Sequence, residues 1–111
     1  MTENSFRVKR TVPRYPFLAE VEVNGLNDSS RVAARISDLS VRGCYIETLN
    51  PFSLDSPVRL LIRHGDQTCE LPGKVIYVHP GYGMGILFES VASRQSATLT
   101  NWLTELATTK H

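Results

Sequence analysis

Arg31-Val32-Ala33-Ala34-Arg35-Ile36 alternates apolar and polar residues, Gly43-Cys44-Tyr45-Ile46-Glu47-Thr48 does so again, and Asp38-Leu39-Ser40-Val41-Arg42-Gly43 stands between them. Alternation of this kind marks half-buried strands. The stretch between is therefore expected to be a tight connection joining two of them. Asp and Ser suit such a corner because their oxygens hold nearby backbone N–H groups. Gly43 permits a positive φ or a close backbone approach. Two readings stay open on these residues alone. One is a well-capped hairpin corner. The other is a corner whose Asp38 and Ser40 point outward as hydrogen-bonding groups for a ligand.

The neighbouring segments repeat the same period. Phe17, Ala19, Val21 and Val23 share one face of a first strand, with Leu18, Glu20 and Glu22 on the other. Asn24-Gly25 and the run to Ser30 are turn chemistry. Val32, Ala34 and Ile36 are expected to face inward on the second strand, and the third follows Gly43. Pro51 and Pro57 break the chain before a fourth strand, Val58 to Arg63. His64-Gly65-Asp66-Gln67 reads as a hairpin turn into a fifth, Thr68 to Val78, expected to bend at Pro72-Gly73 because proline lacks a ladder N–H. After His79-Pro80-Gly81, a sixth strand runs from Gly83 to Phe88. The period then changes. Leu99, Trp102, Leu103 and Leu106 fall at helical spacing, with Ser90 or Ser93 available as a cap. Six short strands and one helix predict a mostly β fold: a six-stranded antiparallel β-barrel with a C-terminal α-helix packed on it.

Composition agrees with one folded domain. Of 111 residues, 41% are hydrophobic and 21% charged. No apolar run approaches the roughly 20 residues needed to span a bilayer, and Met1 to Lys9 is polar. A cytoplasmic location is expected. Cys44 and Cys69 both lie in strand-like runs and are expected to be buried free thiols. Net charge is +1, which does not suggest bulk nucleic-acid binding. The charge is uneven, however: Arg7, Lys9, Arg10 and Arg14 crowd one segment with only Glu3 nearby.

Catalysis and metal binding find little support. His64 and His79 sit at turns, His111 ends the chain, and none has ligand spacing to a second His or Cys. The Gly81-Tyr82-Gly83-Met84-Gly85 run precedes a strand instead of a helix, so it is read as close backbone packing and not as a phosphate cradle. Arg10 and Arg14 are different. Four extended residues span roughly 13 Å, so two guanidiniums can bracket a compact dianion. Arg binds phosphate and the O6/N7 edge of guanine with the same planar fork.

Arg10-x-x-x-Arg14 followed by Asp38-x-Ser40-x-x-Gly43 resembles the signature of the PilZ domain family, with no departure at those five positions. The strand count, the terminal helix and Gly83-Met84-Gly85-Ile86-Leu87-Phe88 are similar to that family too. The resemblance runs from about Arg10 to about Leu106. It divides the chain into a flexible arm at 1–9, a domain at 10–107 and a tail at 108–111. It implies a non-enzymatic receptor for cyclic di-GMP that acts through a separate partner protein. Arg10 and Arg14 would contact phosphate and guanine, Asp38 the guanine N1–H and amino group, Ser40 would add a hydroxyl, and Gly43 would let the backbone come close. In the family an Arg just before the first motif Arg accompanies two stacked ligands; here that position is Lys9. The segment from Phe6 to Tyr15 is expected to be mobile alone and to order over the ligand. Two alternatives stand beside this reading: an adaptor that keeps the fold but binds no nucleotide, and an RNA-binding barrel. The second requires exposed stacking aromatics, for which Tyr45 and Tyr77 are the mid-strand candidates.

Overall fold

A computed structural model describes residues 12–27 and 29–108. Within it are six strands, β1 (Tyr15–Gly25), β2 (Arg31–Leu39), β3 (Gly43–Glu47), β4 (Pro57–His64), β5 (Gln67–His79) and β6 (Gly83–Phe88), followed by one helix, α1 (Ser93–Thr108). All pairings are antiparallel, and the strands close into a barrel in the order β1-β2-β3-β6-β5-β4. The architecture is the one expected. The turns follow from local chemistry. Gly65 takes a φ of 64° in the two-residue link from β4 to β5. Pro80-Gly81 forms a turn with Gly81 at φ 80°, closed by Tyr82 N–H donating to His79 O at 2.9 Å.

Alternate residues fill the barrel. Phe17, Ala19, Val21 and Val23 are buried from β1, as are Val58, Leu60 and Ile62 from β4. Strand β2 departs from strict alternation. Its Ile36 and Leu39, three residues apart, are both fully buried. The register explains this: Ile36 opposes Ile46, but Asp38 opposes Tyr45, so β2 carries one extra residue at Ser37. This is a β-bulge, which re-aims the side chains that follow it. A second register shift lies on β5 between Val75 and Tyr77, where Ile76 and Tyr77 both face outward, and a third lies on β1 between Pro16 and Ala19, opposite the same part of β2.

The β2 bulge corrects one sequence expectation. The second strand does not end at Ile36; it continues to Leu39, and the connection to β3 shrinks to Ser40-Val41-Arg42. The fifth strand keeps its pairing to β4 through Pro72-Gly73. Pro72 pairs with Arg59 on one side and lies just beyond the last β5–β6 pair, Gly73 with Phe88, so its missing N–H breaks no ladder there.

Helix α1 packs against β5 and β1. Leu99 and Trp102 are buried, while Leu103 and Leu106 cover the core in part. The Trp102 ring lies 5.5 Å from Phe17 and 5.4 Å from His64, whose ring is in turn 4.6 Å from Phe17. Its indole N–H donates to Gln67 Oε1 at 2.8 Å, satisfying the polar atom of a buried aromatic. The first helical bond runs from Ser96 N–H to Ala92 O. Ala92 therefore holds the capping position, and neither expected serine does. Ser90 instead takes a φ of 49° as the chain leaves β6.

Two measurements check this packing. Trp102→Ala removes the ring that joins helix to barrel and is expected to cost about 3–5 kcal/mol in urea unfolding. Cys44 and Cys69 are buried and free. Burial pushes the Cys69 thiol up to about 11, and burial aided by the Asp38 carboxylate raises Cys44 further. Both thiols therefore stay protonated at neutral pH. A thiolate-selective reagent is expected to label neither cysteine in the folded protein and both after unfolding.

Candidate functional site

The two bulges open onto the same part of the barrel's outer surface. There the end of β2, the turn after it, the paired start of β3 and end of β6, and the bulged part of β5 line a cleft of about 600 Å³. Arg14, Asp38, Arg42, Ile76, Tyr77 and Leu87 are among its lining residues. The volume falls within the roughly 300–1,000 Å³ usual for small-molecule sites.

Asp38 faces outward because the bulge at Ser37 shifts the alternation. Arg14 reaches it because β1 and β2 pair Tyr15 with Leu39 and Pro16 with Asp38. Arg14 Nη2 donates to Asp38 Oδ2 at 3.2 Å, and both side chains remain partly exposed. The pair keeps spare capacity: a carboxylate has about four lone-pair sites and a guanidinium five N–H donors. Together they present an acceptor and a planar donor fork side by side. That combination matches a heterocycle with both donor and acceptor edges better than it matches a bare phosphate.

Ser40 serves the turn. Its Oγ accepts from Arg42 N–H and Gly43 N–H, both at 3.1 Å, and donates to Gly43 O at 3.3 Å. A hydroxyl has one donor and two acceptor sites, so these bonds use all of them. Ser40 N–H also donates to Gly43 O, at 2.8 Å. Gly43 is required for a close approach, not for a positive φ. A Cβ there would collide with the carbonyl oxygen of Ile86 on β6. The capped-corner reading therefore holds, and the expectation that Ser40 points outward is corrected: Ser40 is buried and its hydroxyl is spent on the turn, so only Asp38 faces outward.

The glycines of β6 have the same packing role. A Cβ at Gly83 or Gly85 would strike the ring of Tyr45 or Tyr77 respectively. These two rings stand 6.1 Å apart and nearly parallel, and Tyr45 Oη shares a hydrogen bond of 2.9 Å with His79 Nδ1. Burial, and then the neighbouring Tyr77, Glu47 and Asp38, raises the Tyr45 phenol. With one face laid on a glycine strand, these tyrosines are not a row of free stacking platforms. Tyr77 alone of the two lines the cleft.

Of the six residues singled out in sequence, Arg14, Asp38, Ser40 and Gly43 meet at this cleft. Lys9 and Arg10 lie outside the described residues, as does the arm before Val12. Arg42, Ile76, Tyr77 and Leu87 were not anticipated there. Arg42 occupies a variable place within the turn motif, and the others reach the cleft only through pairing of β5 with β6. Among the described residues, no cluster of His, Cys, Asp or Glu is arranged to hold a metal ion, and no helix is long and apolar enough to cross a membrane. Because Gly43 packs against backbone, Gly43→Ala is expected to destabilise the fold by about 1–3 kcal/mol, as overpacking does. Thermal melting of the unliganded protein checks this without reference to any ligand.

Comparison with known proteins bears on this arrangement. A family model described as the PilZ domain matches residues 8–105. No curated protein matches the sequence. Among solved structures, the chain is similar to the PilZ domain of CeSA from a cellulose-synthesizing bacterium, with a TM-score of 0.67 and 23% identity over 89% of this chain and 99% of that one. It is similar to the PilZ domain of YcgR from Escherichia coli, solved with c-di-GMP, with a TM-score of 0.74 and 17% identity over 92% and 94% of the two chains. The Bacillus subtilis inhibitor of motility, MotI/DgrA, gives a TM-score of 0.74 and 13% identity over 93% of this chain and 53% of its own, so this chain spans about half of it. At these identities the structural likeness shows the fold alone. The family match covers most of the sequence, and the chain belongs to the PilZ domain family.

Proposed function

We propose that this protein is a receptor for cyclic di-GMP that carries out no catalysis and signals through a separate protein partner. The observation that carries the reading is the Arg14–Asp38 pair, brought together at 3.2 Å in a nucleotide-sized cleft from positions 24 residues apart. Membership of the PilZ family and the c-di-GMP in the YcgR structure support it. Asp38 accepts from the guanine N1–H and amino group. Arg14 donates to O6 and N7 or to a phosphate oxygen. Tyr77 offers an apolar wall to a base. Ser40 acts through the turn it holds, and Gly43 through its contact with β6. Lys9 and Arg10 supply further cations to the two phosphates, and closure of their segment over the ligand creates the surface a partner reads.

One competing reading has an observation in its favour. Arg14 and Asp38 are already paired with each other, as they would be in an adaptor that binds no nucleotide. Calorimetric titration with cyclic di-GMP, with GTP and a short RNA as controls, separates the two. Saturable binding of cyclic di-GMP alone is expected. Arg14→Ala and Asp38→Ala are each expected to weaken it about tenfold or more, since a good bidentate base contact contributes about 1–3 kcal/mol. Normal affinity in both variants at unchanged melting temperature would overturn the assignment.

A further inference from the structure

Three charged side chains line the described part of the cleft: Arg14, Asp38 and Arg42. The first two are paired. Arg42 makes no ion pair among the described residues, whereas Arg31 is paired with Glu22 and Arg59 with Glu70. Within the described cleft, one positive charge is left without a counter-charge, and it belongs to a residue outside the five motif positions.

Its backbone is held from both sides. Arg42 N–H donates to Ser40 Oγ at 3.1 Å, and Arg42 O accepts from Phe88 N–H at 2.8 Å. The turn thus fixes the Cα on the cleft rim while the side chain stays exposed. Arg14 approaches from the β1 side, so the two guanidiniums stem from separate elements of one cleft.

Resting on the receptor reading above, we infer that Arg42 is a phosphate-binding residue of this site. Its fork donates to a phosphate oxygen of the bound dinucleotide from the turn side while Asp38 and Arg14 engage a base. The Arg14 charge is already balanced by Asp38, so among the described residues Arg42 supplies the uncompensated attraction for the ligand's negative charge. This makes affinity depend on salt through Arg42 more than through Arg14.

Alanine at this position keeps both backbone hydrogen bonds, so Arg42→Ala is expected to fold. Arg42→Lys, which keeps the charge and loses the fork, serves as a second variant. Cyclic di-GMP is titrated calorimetrically into wild type and both variants at low and high sodium chloride, with melting curves as a check. Arg42→Ala is expected to weaken binding at low salt about tenfold, the loss of a charge-assisted hydrogen bond. Its affinity should also fall less steeply with salt than that of wild type. Arg42→Lys should retain the wild-type salt dependence at an intermediate affinity. If wild type binds and both variants match its affinity and salt dependence, the role of Arg42 is refuted while the receptor reading stands. If wild type does not bind cyclic di-GMP, the receptor reading fails and takes this inference with it.

Discussion

One extra residue in β2 decides which way Asp38 faces. Ile36 and Leu39 both point into the barrel, and Ser37 is the residue that lets them. Without it, period-two alternation that buries Ile36 would turn Asp38 inward among apolar side chains. A lone carboxylate there would meet the full cost of desolvation. With the bulge, Leu39 seals the core and Asp38 stands on the outer face, level with Arg14. The short turn then follows at once, and Ser40 closes it by satisfying the amides of Arg42 and Gly43. Core packing and site geometry are thus two consequences of one local irregularity.

The second bulge acts from across the barrel. It turns Ile76 and Tyr77 outward together and lays the Tyr77 ring over Gly85. Small residues on β6 make room for this. Gly43 sits against the backbone at Ile86, while Gly83 and Gly85 lie beneath aromatic rings. On the cleft floor Gly43 packs against β6, and Gly85 lies under the Tyr77 ring. The cleft has an ionic side at Arg14 and Asp38 and an apolar side at Ile76 and Tyr77.

The Arg14–Asp38 pair adds little to the stability of the fold. Arg14 and Asp38 are partly exposed, and a pair of that kind contributes about 0–1 kcal/mol to stability. A ligand that competes for either group gives up little. The barrel itself is insulated from such exchange, because its cohesion lies in the fully buried aliphatic interior and in the Trp102, Phe17 and His64 contact at the helix. Binding chemistry on the surface can change without loosening the core.

Sequence alone determined the strand count, the terminal helix, the family signature and the inward face of most strands. These are periodic or local signals: Phe17 to Val23 alternates without a break, and Leu99, Trp102, Leu103 and Leu106 repeat at helical spacing. It also named Arg14, Asp38, Ser40 and Gly43 as a set. It could not assign their separate tasks. Whether Gly43 serves φ or contact depends on what β6 places against it, and Ile86 is 43 residues away. The continuation of β2 through Leu39, the outward turn of Tyr77 and the arrival of Arg42 at the rim were likewise invisible. A bulge is a mismatch between two strands, so it exists only when the partner strand is in register, and no single stretch of sequence carries that information. Tertiary pairing decided these points, because only pairing sets which side chains share a face with residues distant in the chain.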